Sequence, residues 1–187
     1  GFFPLAIQAI SGLINQRFSA PITVLATCDE ESSMSGARAL VEAGRPLGEA
    51  AIIGEPTGLV PIRLHKGVMM ESIEILGRSG HSSDPRYGRS ALDAMHATLG
   101  DLIDLREGWE KIHQNPSFAV PHPTLNFGCI HGGDNPNRIC GQCSLEFDIR
   151  PIPGMDLDVI RAEIDERLHM LANAHEVEIK RKSLFPG

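Results

Sequence analysis

The sequence lacks any apolar run near the roughly 20 residues that a membrane-spanning helix needs. It also lacks an excess of basic residues. Seventeen Lys and Arg stand against 24 Asp and Glu, a net charge of -7, and such a surface repels nucleic acid. Four cysteines in 187 residues are too few for a disulfide scaffold and suit a reducing, cytoplasmic compartment. The opening GFFPLAIQAI is apolar but has neither a basic leader nor a small-residue cleavage site, so no signal peptide is expected there. The eight histidines show no HExxH or HxH spacing, and Gly132-Gly133 is too short for a phosphate loop. There is no internal repeat.

What remains is an ordinary globular mixture. Hydrophobic residues are 42% and charged ones 22%, which excludes a disordered chain. The length corresponds to about one to one and a half domains and is enough to bury a core. The chain opens at Gly1 inside an apolar helical pattern and stops at Leu184-Phe185-Pro186-Gly187, which reads as a loop. A piece of a longer protein is the expectation.

Two units are predicted. In the first, 1–65, Phe3, Ile7, Ile10 and Ile14 recur at helical spacing. Residues 21–27 (PITVLAT) form a β-branched run of the kind buried on both faces of a parallel sheet. A helix with a Ser-rich entry follows at 33–43, then a second buried strand at 50–53. Helix, strand, helix, strand suggests an incomplete α/β fragment. In the second unit, 66–181, strands alternate. Ile73 and Ile75 flank Glu74 with Met69 in phase, while Glu71 breaks the pattern. Leu145, Phe147 and Ile149 alternate with Glu146 and Asp148. Residues 124–130 and the pair Val177 and Ile179 complete the strands. Leu92, Met95, Leu99 and Leu102 mark one helical stripe; Leu157, Ile160, Ile164, Leu168 and Leu171 mark another. Residues 107–123 form a long connection. The order β-α-β-β-α-β is the ferredoxin-like α+β arrangement, with both helices on one face. Residues 182–187 read as a return linker to the first unit.

Asp29-Glu30-Glu31 follows directly on the first buried strand, where open α/β sheets place ligands. Three adjacent negative charges need compensation, from a divalent cation or from the helix that follows; a solvated acidic turn is the plainer alternative. Glu55 ends the second strand, with Pro56 stopping the chain. Two acidic strand ends can converge on one crevice. A glycosidase fits poorly, because its two acids sit about 5–9 Å apart on separate strands, whereas Glu30 and Glu31 are adjacent. Cys140-Gly141-Gln142-Cys143 is a CxxC pair. It lies before an alternating strand and does not open a helix, so a structural role is expected ahead of a thiol oxidoreductase.

ATCDEESSMSGARAL followed by IIGEPTGL resembles the M20 family of metal-dependent amidohydrolases. GFFP, HKG, SGHSSDP, HGGDNPNRIC and FDIRPIPG fall in order as they do there, and within the family the match is closest to a member that deacetylates an amino acid. The resemblance runs over essentially the whole chain. It implies that the first unit is part of a zinc-binding catalytic domain and the second a lid that pairs subunits in a homodimer. It implies Glu30 as general base, Glu31 and Glu55 as ligands of two zinc ions (cobalt being an alternative metal), and an N-acyl amino acid as substrate. His81 would stabilise the oxyanion, often in the partner subunit's site. Asn137 and Arg150 would contact substrate, the guanidinium suiting a carboxylate through a forked pairing. Lys66 would touch substrate or shape the domain junction. The family's His-x-Asp motif, bridging aspartate and late histidine have no counterpart in this chain. Catalytic zinc sites use about three protein ligands with imidazole or thiolate among them, so this chain alone is expected neither to hold zinc tightly nor to hydrolyse anything. A module that only assembles subunits is the alternative reading, and a related desuccinylase-type deacylase is another.

Overall fold

In the computed structural model the described residues are 2–30, 34–44 and 48–185. The chain divides between Arg63 and Leu64 into two units.

The first unit contains helices α1 (Phe2–Gly12) and α2 (Ser35–Glu42). Residues 21–27 and 50–53, predicted as buried strands, are irregular and exposed; Ile52 is 90% exposed and Ile53 75%. The reason is physical. A strand of a parallel sheet exists only with hydrogen-bonding neighbours and helices over its faces. Among the described residues of this unit no strand lies beside either segment. The apolar composition is there, but the ladder that would bury it is not.

The second unit carries the core. Its long strands are β1 (Met69–Leu76), then, after a short strand β2 (Gly80–His81), β3 (Thr124–Gly132), followed by the short β4 (Arg138–Ile139), β5 (Gln142–Arg150) and β6 (Glu178–Phe185). Helix α3 (Ala91–Ile112) joins β2 to β3, and α4 (Leu157–His175) joins β5 to β6. The main sheet is antiparallel in the order β3-β5-β1-β6, and β2 pairs with β4 in a separate ribbon. The order β-α-β-β-α-β expected from the sequence is the backbone of this unit, with the β2/β4 ribbon inserted. Ser90 caps α3 by accepting from the Asp93 N–H, and Asp156 caps α4 by accepting from the N–H groups of Asp158 and Val159. Such caps satisfy otherwise orphaned donors.

Period-two burial fixes which face meets the helices. Met69, Glu71, Ile73 and Ile75 of β1 are fully buried, as are or nearly are Cys143, Leu145, Phe147 and Ile149 of β5. They pack against Met95, Leu102, Leu105 and Trp109 of α3 and Ile160, Ile164 and Leu168 of α4. Three expectations need correction. The α3 stripe is rotated: Leu92 is 43% exposed and Leu99 only partly buried, while Ala91, Ala94 and Thr98 face the core. Small residues let the helix lie close to the sheet, a preference that a count of large apolar residues misses. α3 runs on to Ile112, which shortens the long connection to 113–123. Residues 182–185 are not linker, because β6 continues through them, Lys182 opposite Ser72 and Phe185 opposite Met70.

Glu71 does not break the β1 pattern; it is in phase and has no exposure. Its Oε2 accepts from Arg181 Nη1 at 2.6 Å, and its Oε1 accepts from Ser183 Oγ at 3.2 Å and lies 3.5 Å from Arg161 Nε. Arg181 is held in turn by a two-bond fork from Asp165, at 2.6 and 2.7 Å. These contacts join β1, β6 and α4 through one carboxylate. Removing one partner of a buried pair strands the others, so Glu71→Ala should lower the unfolding free energy by about 3–5 kcal/mol. Equilibrium urea unfolding of the second unit checks this; a loss below about 1 kcal/mol would mean that the pairing contributes no more than a surface bridge.

Candidate functional site

The second unit presents two clusters. At one end of the sheet the chain leaves β1 at Gly77, whose N–H donates to Gly141 O. A Cβ on Gly77 would sit 2.1 Å from Arg89 O, so only glycine permits this close approach. The ribbon beyond pairs His81 with Arg138, and Ser82 N–H donates to Asn137 O. His81 and Asn137 are therefore brought together, both exposed.

The His81 ring is oriented by its own turn. Nδ1 accepts from the Ser83 backbone N–H at 3.2 Å and lies 2.8 Å from Ser83 Oγ. A nitrogen that accepts a backbone N–H carries no proton of its own, so the neutral ring is the Nε2–H tautomer. That leaves Nε2–H as a donor facing away from the turn's bonds. Asp84 caps the following 3-10 turn, Pro85–Tyr87, and the Arg86 guanidinium beside it holds its carboxyl below the usual range. Near this ribbon is an open depression of about 550 Å³ lined by Ser79, His131, Asp134 and Gln142 among others. His131, whose Nε2 lies 3.0 Å from Cys129 Sγ, faces it.

Lys66 and Arg150 lie at the other end. Arg150 ends β5, opposite Thr124, and Gly67 N–H donates to Pro151 O. Lys66 Nζ donates to His122 O at 2.6 Å and stands 5.9 Å from the Phe118 ring centroid. It ties the 113–123 connection to the start of the unit. β5 spans nine residues, so the two clusters are separated by roughly 27 Å at about 3.4 Å per residue. Within one copy, His81 with Asn137 and Arg150 do not share a site.

In the first unit Glu30 and Glu55 are exposed on irregular backbone, and Glu31 lies outside the described residues. Asp29 adopts a left-handed conformation, φ 57°, and accepts from Ser35 Oγ beside the start of α2. The strand ends that were to aim these carboxylates are not strands here. Among the described residues no group of three His, Cys, Asp or Glu side chains could hold a metal ion. The residues described therefore do not by themselves fit a zinc centre. In the CxxC pair Cys143 lies within β5, both thiols are buried, and burial pushes the Cys143 thiol up. A thiol held neutral is a poor nucleophile, which removes the support for an oxidoreductase.

Residues 63–176 match the M20 peptidase dimerisation domain. The chain belongs to the M20 family. Two curated relatives named acetylornithine deacetylase are similar to it: that of Photorhabdus laumondii, 46% identical over 90% of this chain and 44% of the relative, and that of Vibrio cholerae, 49% identical over 84% and 42%. This M20 chain thus spans less than half the length of those relatives. In fold it is similar to a hydantoinase/carbamoylase family amidase from Burkholderia ambifaria, with TM-score 0.53 and 15% identity over 64% of this chain and 28% of that one.

The hydrogen bonds of the His81 turn generate a spectroscopic expectation. Long-range ¹H–¹⁵N spectra should show the Nε2–H tautomer for neutral His81, with Ser83→Ala reducing its dominance. A dominant Nδ1–H form would contradict the arrangement.

Proposed function

We propose that this M20 chain is the lid-bearing part of a zinc-dependent deacetylase that hydrolyses N2-acetyl-L-ornithine to ornithine and acetate, a step of arginine biosynthesis in the cytoplasm. The observation that carries this reading is the 46–49% identity to acetylornithine deacetylases across 84–90% of the chain. Another M20 deacylase, such as a succinyl-diaminopimelate desuccinylase, would share the catalytic logic.

The roles of this chain's residues follow from their chemistry. The His81 Nε2–H donor would meet the amide oxygen as it becomes negative, in a role that needs no proton to move. Asn137, on the same ribbon, would contact substrate beside it. Arg150 would bind the α-carboxylate. The separation of the two clusters favours a site to which one copy brings His81 and another brings Arg150. In the longer protein Glu30 would serve as base, with Glu31 and Glu55 as metal ligands. They need imidazole partners that the described residues do not supply.

The second copy would dock on β3 and α3. Of the two sheet edges, β6 carries Glu178, Lys180 and Lys182 on its open face, with Lys180 paired to Glu178 at 2.9 Å; charged edges resist pairing. The β3 edge carries no lysine, and it presents Ile130 at 49% exposed, while Leu92 of α3 is 43% exposed. Sedimentation of the isolated chain at micromolar concentration should show a dimer, and Ile130→Lys should return it to monomer. A monomer throughout that range would sink the docking assignment.

Activity separates the readings. The longer protein with zinc should release acetate from N-acetylornithine, and this chain alone should not. His81→Ala in the longer protein should lower kcat by about 10²–10³, the loss typical for one oxyanion donor. No turnover of N-acetylornithine by the longer protein would leave another M20 deacylase or the assembly module as the surviving readings.

A further inference from the structure

Arg150 is not a free strand-end charge. β5 alternates faces, so Asp148 and Arg150, two residues apart, both project from the side of the sheet away from the helices. Asp148 Oδ2 accepts from Arg150 Nε at 2.8 Å. Neither Nη of Arg150 has a protein partner among the described residues, and its side chain is 44% exposed.

The other oxygen of Asp148 sharpens the point. Oδ1 is buried and has no hydrogen-bond partner among the described residues. No second donor competes for this carboxylate, so it is committed to Arg150. Stability does not account for the pair. A half-exposed ion pair contributes little, and a buried unpaired oxygen is a cost. What the arrangement does achieve is orientation. A guanidinium has five N–H donors in one plane. Holding it by Nε leaves the Nη1–Nη2 edge, whose two parallel donors match the two oxygens of a carboxylate. Fixing a rotamer-rich side chain before binding reduces the entropy lost on binding.

We propose that Asp148 is a positioning residue for Arg150: it grips the Nε edge so that the Nη edge stands ready for the carboxylate of an acyl amino acid. The inference rests on the proposed role of Arg150 as the carboxylate-binding residue. Asp148 itself touches no substrate and acts through KM.

Steady-state kinetics of the longer, zinc-loaded protein on N-acetylornithine tests it. Asp148→Ala should raise KM by about tenfold, near the upper end for immobilising one long side chain, with kcat unchanged. Asp148→Asn keeps an oxygen that accepts from Nε and should recover most of that loss. Arg150→Ala should raise KM at least as much, and adding Asp148→Ala to it should change nothing further, because residues acting as a unit are not additive. Asp148→Val suits a strand and serves in place of Asp148→Ala if that variant does not fold. An unchanged KM in Asp148→Ala or Asp148→Val, with KM raised in Arg150→Ala, overturns the positioning role while leaving Arg150 as a binding residue. An unchanged KM in Arg150→Ala overturns the reading of Arg150 itself. A fall in kcat with KM constant, or additive effects in the double variant, would also overturn the proposal, because either marks a role other than orienting Arg150.

Discussion

The second unit is organised around a negative charge placed where water cannot reach it. Burying a carboxylate costs several kcal/mol unless cations and hydrogen bonds surround it, and Glu71 is surrounded by Arg181, Arg161 and Ser183. The fork from Asp165, and after it Glu71, holds the Arg181 guanidinium still more firmly protonated. These partners come from β6 and α4, the last elements of the unit. An edge strand hydrogen-bonded on one side only is otherwise weakly specified in register. The ionic contact supplies that specification, since shifting β6 by one residue would turn Arg181 to the open face and leave Glu71 bare. The central position of β1 in the sheet, and with it the start of the β2/β4 ribbon, depends on β6 being held in place.

That pairing also explains why one part of the chain was easy to read from sequence and another was not. β5 alternates without exception from Cys143 to Ile149, and α4 has Ile160, Ile164 and Leu168 at spacings of four, bracketed by the Asp156 cap. Both elements bury one face against a partner in the same unit, so local pattern and tertiary packing agree. Glu71 looks like a break in the pattern because alternation scores polarity, whereas its burial depends on partners 90 and 110 residues away in sequence. The segments 21–27 and 50–53 show the reverse failure. Their β-branched runs satisfy the composition of a buried strand, but a strand is a property of a pair. With no neighbour among the described residues, the same composition yields exposed, irregular chain.

The candidate site divides along the same line. His81 was legible from a short motif, but its tautomer was not. The tautomer depends on the Ser83 N–H, and reading it takes coordinates. Arg150 was legible as a cation at a strand end. That Asp148 lies on the same face as Arg150 follows from the period of the strand once β5 is assigned, because residues i and i+2 share a face; that it grips the Nε edge takes coordinates. No comparable local rule links His81 to Arg150, which the sheet sets at opposite ends.

Under the proposed function, that separation would give the dimerisation domain a chemical role. A rigid antiparallel sheet cannot fold its two ends together, and nothing in the β1, β5 register allows the ribbon to approach Arg150 within one copy. If both residues serve one substrate, as the proposed function requires, then the second copy is part of the active site and not merely a stabilising neighbour. Association would then contribute to the rate through the His81 donor, and the distance between the two ends of the lid would set how the copies must be arranged. An interface on β3 would extend the main sheet across the two-fold axis as a continuous ladder. A continuous ladder transmits position more faithfully than a flexible contact, and an oxyanion donor is effective only when held to a fraction of an ångström.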